Sequence, residues 1–491
     1  MPRSARTDKP PTVVHLTAEY WPYARTGGLG EAVQGIARGQ AGANVRTCAL
    51  LPLYRAVREA GVPLEPMGRA QEVTVGPVTE TIRLWRVSEV RDGFPDVVLV
   101  DHPASFDRSG IYGEAGADYP DNARRFALLC RAALQALAKL ARPPIVLHTH
   151  DWHTALAPVY LRTQLAGDRF FDRVASVLSV HNAGFQGHFA PDSLAELGLP
   201  AELYDSRWLE WFGRVNWLKG GLAFTDFATT VSPTHAHELR TEVGGFGLHD
   251  TFIGLKDRFV GILNGIDGDL WNPATDPYIT QTFTADDLRG KQRCKAALQR
   301  AYGLPHRPRT PLLGMSARLV SQKGLDLVLG AHFLWAADAQ FVFLGQGEER
   351  YETALRELAT ALPERVAVET NFTDEREHRL LAGADVLLMP SLYEPCGLTQ
   401  MRAQRYGALP VGRRVGGLAD TIEDEETGFL FDDYTPAALE RAVRRALGLY
   451  EECEAWERHM RQAMARDFSW TGSVRRYLDV YQLALRRRRR A

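Results

Sequence analysis

Cysteine is scarce. The 491 residues hold five, Cys48, Cys130, Cys294, Cys396 and Cys453, scattered and without a CxxC pair. That spacing excludes a disulfide framework and a structural zinc ribbon, and it fits a reducing cytoplasm. Long apolar runs are missing as well: none approaches the roughly 18–20 residues of a membrane helix, and the opening "MPRSARTDKPP" lacks the apolar core of a secretion signal. Neither charge sign is in excess. Lys+Arg 58 against Asp+Glu 60 gives −2, whereas nucleic-acid binders carry a basic surplus. Two familiar phosphate loops are also absent. "RTGGLGEAV" (25–33) has Val33 where a dinucleotide fingerprint needs its last glycine, and no Gly-Lys-Ser/Thr follows it. The run Arg486–Arg490 is expected to be a solvated helix end.

What is present is ordinary globular material, 45% hydrophobic and 24% charged, long enough for two large domains. Short β-branched runs alternate with amphipathic stretches. "TVVHLTA", "RTCALLP", "DVVLVD", "PIVLHTHD", "VASVLSVHN" and "FATTVSP" read as strands, with helices such as "DNARRFALLCRAALQALAKL" between them. The rhythm restarts with "TPLLGMSAR", "AQFVFLGQG", "RVAVETN", "ADVLLMPS", "ALPVGRR" and "GFLF". This is the βαβ pattern of doubly wound parallel sheets, and the wholly apolar strands fit sheets covered on both faces. The irregular stretch beginning near 265 marks a boundary, giving domains at 11–260 and 261–466, with a helix and basic tail over 467–491.

Polar residues collect where these strands end. "SARLVSQKG" sets Arg318 and Lys323 after one strand, a fork and a point charge able to meet on a diphosphate. "FLGQGEER" puts Gly345 and Gly347 after another, where a nucleotide can lie against backbone. In "PSLYEPCGLTQ", Glu394 can take sugar hydroxyls or balance positive charge as a glycosidic bond breaks, and the amides of Gly397, Leu398 and Thr399 open a helix where phosphate is favoured. Cys396 reads as a packed thiol, since no base lies near it in sequence. "HTHDWHTALAP" concentrates His148, His150, Asp151 and His153; metal binding is considered, but a sugar-contacting or structural cluster fits better. "SVHNAGFQGHF" adds His181 at the next strand end. The loop of Arg25, Gly27 and Gly28 can receive a phosphate or sugar hydroxyl, or its glycines simply pack a tight turn. It is echoed by "RVGGLADTI" at 414–422.

From about residue 12 to about 482 the sequence resembles bacterial glycogen synthases and plant starch synthases, retaining glucosyltransferases of the two-Rossmann-domain type. "RTGGLGEAV", "HTHDWHTALAPVYL", "SVHNAGFQG", "TVSPTHAHEL", "LNGIDGDLWNPATD", "SARLVSQKGLDLV", "PSLYEPCGLTQMRAQRYGALPVGRRVGGLADTI", "TGFLF" and "DFSW" carry the resemblance. It implies two Rossmann-like doubly wound α/β domains facing a central cleft (GT-B type), with a C-terminal helix crossing back to the first. It implies ADP-glucose as donor, an α-1,4-glucan as acceptor, and no metal or other cofactor. Arg318 and Lys323 match the family's donor-diphosphate pair. Glu394, with Cys396, Gly397 and Leu398, matches its reaction centre, Asp151 and His181 match sugar-site residues, and Asn264 matches a residue near the donor glucose. Arg25 and Glu31 stand where the family has lysine and aspartate, which bears on donor choice and rate. The competing readings are a transferase using UDP-glucose or a small acceptor, a pyridoxal-phosphate glucan phosphorylase, for which no Schiff-base lysine stands out, and a silent glucan-binding scaffold. No nucleic-acid or membrane partner is expected.

Overall fold

Thr12–Leu16 is buried along its whole length and apolar save for Thr12 and His15, and it lies mid-sheet. The computed structural model describes residues 10–89, 92–114 and 116–490, so the opening segment read above as lacking a secretion signal lies mostly outside the described residues. The sheet runs Phe259–Gly261, Phe227–Thr230, Val174–Val180, Ile145–His150, Thr12–Leu16, Thr47–Pro52, Asp96–Asp101, Val78–Val87, Leu64–Pro66. Its first seven strands are parallel. Val78–Val87 then pairs antiparallel with Asp96–Asp101, Leu64–Pro66 and Gln71–Val75. This antiparallel edge departs from the purely parallel expectation. Its strands alternate exposed and buried residues, because one of their faces meets water.

The chain divides into two units. The first holds the described residues up to Val231, Ala236–Ile262 and those from Trp470 onward; the second holds Ser232–His235 and Leu263–Ser469. Thr234 belongs with the second unit because its amide and hydroxyl both donate to Asp420, at 2.9 and 2.7 Å. The second unit is built on six parallel strands in the order Val366–Glu369, Gln340–Leu344, Leu312–Ser316, Val386–Met389, Leu409–Arg413, Phe429–Phe431. In chain order that is 3-2-1-4-5-6, the doubly wound Rossmann arrangement. Among the described residues no helix is long and apolar enough to cross a membrane.

The C-terminal helix Trp470–Arg488 completes the first unit. Val474, Tyr477, Val480, Tyr481, Ala484 and Leu485 are buried on it, and most of them join Val13, Ile36, Val146 and Val177 in one apolar cluster. It packs against the helix Gly28–Gly42, where two glycines make room: a Cβ on Gly35 would stand 2.2 Å from the Trp470 indole, and one on Gly39 2.6 Å from a Val474 methyl. Arg488 is tied to the Asp172 carboxylate at 3.0 Å, while its neighbours in the basic run face solvent.

Gly35→Val therefore overpacks this seam despite its better helix propensity. It is expected to lower the thermal midpoint by several degrees, equivalent to about 1–3 kcal/mol, and Trp470→Ala in the same chain is expected to recover part of the loss. Differential scanning fluorimetry of the two variants checks this; an unchanged midpoint in Gly35→Val contradicts it.

Candidate functional site

In an open α/β sheet, ligands bind beyond the carboxyl ends of two neighbouring strands whose following connections leave in opposite directions. In the second unit that point lies between Leu312–Ser316 and Val386–Met389. Arg318 follows the first of these strands and Glu394 the second. Between them the chain forms a 3-10 turn, Ser321–Lys323, ending at Gly324. Gly324 has φ +76°, and a Cβ there would stand 2.0 Å from the carbonyl oxygen of Pro390. Only glycine lets this turn lie against the Pro390–Glu394 loop.

The turn and the loop are stitched together. The Leu392 amide donates to the Gln322 carbonyl at 2.8 Å, Gln322 Nε2 donates to the Tyr393 carbonyl at 3.1 Å, and Arg318 donates to Gln322 Oε1 at 3.2 Å. Lys323 Nζ donates to Glu394 Oε2 at 2.5 Å, and Ser391 Oγ donates to the same oxygen at 3.0 Å. The Glu394 side chain is only 7% exposed, so Lys323 supplies charge balance that water cannot. The structure thus brings Arg318, Lys323 and Glu394 into one loop cluster. Gln322 and Ser391, which organise it, carry no motif of their own and escape a reading of the sequence.

Other predicted residues fall around this cluster. The helix Thr399–Arg405 starts at Thr399, with Leu398 as its N-cap, and Gly397, Leu398 and Thr399 are half-exposed. Cys396 is buried, its thiol is pushed up to about 12 by burial, and it bonds the Asn264 backbone; it is a packed thiol. Asn264 is buried, and its side-chain Oδ1 has no hydrogen-bond partner. The echo at 414–422 clamps Glu394: the Gly417 amide donates to the Glu394 carbonyl at 3.0 Å, and a Cβ on Gly416 would fall 2.0 Å from that same oxygen. Gly345 and Gly347 have a packing reason of their own. Cβ atoms there would strike the carbonyl oxygens of Ala317 and Leu319, at 1.8 and 2.3 Å, so these glycines admit a neighbouring segment of backbone.

The first unit repeats the arrangement. Its switch point lies between Thr12–Leu16 and Ile145–His150. After the first strand comes Glu19, 3% exposed, whose carboxylate accepts from the Thr26 amide at 2.7 Å, the Thr26 hydroxyl at 2.8 Å, the Gly27 amide at 3.3 Å and the Tyr112 hydroxyl at 2.6 Å. The loop read above as receiving a phosphate or sugar hydroxyl, or as a tight packed turn, has its Thr26 and Gly27 amides held by this acid. In this unit the sequence reading missed Glu19; a glutamate three positions after a strand carries no signature. Gly27 faces open space, with no atom within 4 Å of where a Cβ would stand, and it directly precedes Gly28, the first residue of its helix. Arg25 donates to Glu31 at 2.8 Å, so the two departures from the family pattern are partners.

After the second strand, Asp151 has φ +56°, and its carboxylate accepts from the amides of His181 and Asn182 at 2.6 and 3.4 Å. Asp151 therefore braces the turn that carries His181. Burial pushes its carboxyl up to about 7, against the pull of those two amides, and the charge of Glu19 pushes the same way. His148 and His150 point into the core beside His15; one nitrogen of each of these three rings lies within 4.8 Å of the others. Both nitrogens of all three rings are engaged in hydrogen bonds. His153 is buried against Tyr112, with ring centroids 4.6 Å apart.

Two Rossmann-type units with charged switch points define a glycosyltransferase of the GT-B class. The starch synthase catalytic domain family matches residues 12–253, and the glycosyl transferases group 1 family matches residues 303–463. The chain is 43% identical to a glycogen synthase of Anaeromyxobacter dehalogenans, spanning 96% of this chain and 98% of that protein. It is 40% identical to glycogen synthase 2 of Geobacter sulfurreducens, spanning 97% and 99%. The catalytic domain of starch synthase IV from Arabidopsis thaliana, solved with ADP and acarbose, superposes with a TM-score of 0.89 at 33% identity, over 97% of this chain and 100% of that one. A sucrose-phosphate synthase from Thermosynechococcus elongatus, 17% identical, shares the fold at a TM-score of 0.60. The chain belongs to the glycogen synthase family.

Burial lowers His15 to about 4, His153 and His181 to about 3, and His148 and His150 well below 6.5. A histidine depressed in the folded state contributes stability that is present above its unfolded value, near 6.5, and is lost as pH falls toward the folded value. Asp151, raised, acts oppositely between about 4 and about 7, but it is one group against five. The thermal midpoint is expected to be level above about pH 7 and to fall steeply below about pH 6.5, read by calorimetry across that range. A midpoint that holds from pH 7 to pH 5 contradicts the buried-neutral assignment.

Proposed function

We propose that this glycosyltransferase moves glucose from ADP-glucose to the non-reducing 4-hydroxyl end of an α-1,4-glucan, with retention at the anomeric carbon. The observation that carries the reading is the gathering of Arg318, Lys323 and Glu394 at the switch point of the second unit, in a member of the glycogen synthase family. The reaction breaks the bond between C1 of glucose and the phosphate oxygen and forms one from C1 to the acceptor O4. The acceptor proton passes to the departing phosphate.

Negative charge grows on the diphosphate and positive character on the sugar ring. Arg318, Lys323 and the amides of Gly397, Leu398 and Thr399 are assigned to the first, each such preorganised donor contributing on the order of 10²–10³ in rate. Glu394 is assigned to the second. Its present partner is Lys323; a diphosphate that draws Lys323 away leaves the carboxylate to the developing charge on glucose. The unpartnered Oδ1 of Asn264 suits a sugar hydroxyl. In the first unit the reading gives Arg25, Gly27, Gly28, Asp151 and His181 to donor and glucan contacts. Side chains and amides meet the charges, so no metal or other cofactor is invoked. Five free cysteines, four of them buried, accord with a cytoplasmic enzyme. The Arg25–Glu31 pair keeps UDP-glucose in view as an alternative donor.

Incubation with glycogen and either ADP-glucose or UDP-glucose, measuring released nucleoside diphosphate, tests the reading; release only from ADP-glucose is expected. Lys323→Ala is expected to lower turnover at least about tenfold. It also strands a buried carboxylate, so its stability is measured beside that of the Lys323→Ala/Glu394→Gln double variant. Glu394→Gln is expected to keep donor binding and lose transfer; wild-type transfer in that variant removes Glu394 from the centre.

A further inference from the structure

Eight buried side chains of the first unit form one continuous hydrogen-bonded series that runs from Thr229, 2.6 Å from Ser179 Oγ, to His181. Tyr481, on the C-terminal helix, accepts from Gln40 Nε2 at 2.7 Å. Gln40 Oε1 lies 2.9 Å from His15 Nε2, His15 Nδ1 lies 3.0 Å from His150 Nε2, and His150 Nδ1 lies 2.9 Å from His181 Nε2. On the other side of Tyr481, its hydroxyl lies 2.8 Å from His148 Nδ1, and His148 Nε2 lies 2.7 Å from Ser179 Oγ. Gln40, Tyr481, His15, His148, His150 and Ser179 are fully buried; His181 alone reaches the surface, at 9% exposure.

Proton positions follow one from another along this series. An amide oxygen only accepts, so His15 carries its proton on Nε2. Burial keeps all four rings neutral, so each has one donor and one acceptor nitrogen. His15 Nδ1 therefore accepts from His150 Nε2, and His150 Nδ1 accepts from His181 Nε2. The proton of His181 sits on Nε2, and its Nδ1 is a bare lone pair. Turning the Gln40 amide over reverses every bond, and the proton of His181 moves to Nδ1. In the orientation the structure has, the Tyr481 hydroxyl takes the Gln40 NH₂ and gives its own hydrogen to His148, so both ends of the amide are satisfied. A cation among His15, His148 and His150 would have to displace these bonds, since each ring nitrogen there is already in use.

We propose that Tyr481 and Gln40, acting through His15 and His150, are positioning residues that fix the tautomer of His181, so that its Nδ1 offers a lone pair to a glucose hydroxyl at this strand end. The hydroxyl contact rests on the glucosyl transfer proposed above; the tautomer does not. Asp151 fixes the backbone of His181 while the series fixes its ring, so both frames of the residue are set from within the unit.

The test is ring-¹⁵N NMR of histidine-labelled enzyme, with the His181 signals assigned by their loss in His181→Gln. Wild type is expected to show the His181 proton on Nε2. Gln40→Met removes the acceptor for His15 Nε2–H and is expected to move that proton to Nδ1. Tyr481→Phe, which removes a single oxygen, is expected to give a mixture of the two tautomers, and it carries the test if Gln40→Met does not fold. Both variants are expected to lose about tenfold in kcat, with KM for ADP-glucose changed less than about twofold, a split that general loosening of the fold does not produce. A wild-type proton on Nδ1, an unaltered His181 signal in the folded variants, or altered tautomers with unaltered kcat each overturns the proposal. Should the wild type transfer no glucose from either donor, the functional reading fails, and the spectra alone decide the tautomer assignment.

Discussion

Two neighbouring parallel strands whose connections depart to opposite faces leave the space beyond their shared carboxyl end unfilled by their own chain. Each unit of this protein obeys that constraint once, and each sets its charged residues there. In the second unit the gap lies beside Ser316 and Met389, and the loops that border it carry Arg318, Lys323 and Glu394. In the first it lies beside Leu16 and His150, and the bordering residues are Glu19, Gly27 and Asp151. The sheet order decides where polar groups can stand without disturbing the core. Hydrogen bonding decides how they are held, since the three acids Glu19, Asp151 and Glu394 are too buried to be left to water.

The two edges solve the holding problem differently. In the second unit an ion pair is the clasp: Lys323 and Glu394 face each other, and the loops around them approach through Gly324, Gly416 and Gly417. A charged ligand can compete for such a clasp, because it offers Lys323 another anion. In the first unit the acids grip backbone amides. Glu19 holds Thr26 and Gly27, and Asp151 holds His181 and Asn182. Amides have no other charge to follow, so this edge is rigid where the other can exchange partners.

Much of this was legible in the sequence, and the reasons differ element by element. The central strands announced themselves because burial on both faces favours unbroken apolar runs such as "VLLM", or nearly unbroken ones such as "VVHL". The edge hairpin over residues 64–87 did not, since its half-exposed strands alternate like many loops and short helices. Arg318, Lys323 and Glu394 stood out as charges directly after strands. Glu19 and Gln322 did not, because half of their side-chain partners are backbone groups, which leave no mark on residue type, and others, such as Tyr112, lie far off in sequence. Gly345 and Gly347 were visible as glycines, but their packing reason was not, because the crowding atoms belong to Ala317 and Leu319, which only the fold brings near. The meeting of His15, Gln40, His150 and Tyr481 spans the chain from one end to the other, beyond the reach of any local pattern.

The closing helix has a consequence for how the protein is made. Its apolar side covers a sheet begun at Thr12, yet it is translated only after the whole second unit. While everything from Leu263 to Ser469 is being translated, on the order of tens of seconds at ~5–20 residues per second, the nascent first unit lacks its lid, with Val13, Ile36 and Val146 uncovered. The later-made unit can therefore mature before the earlier one. A chain stalled before this helix presents a greasy face of the kind chaperones and proteases bind, so the docked helix also signals that the second unit has been made.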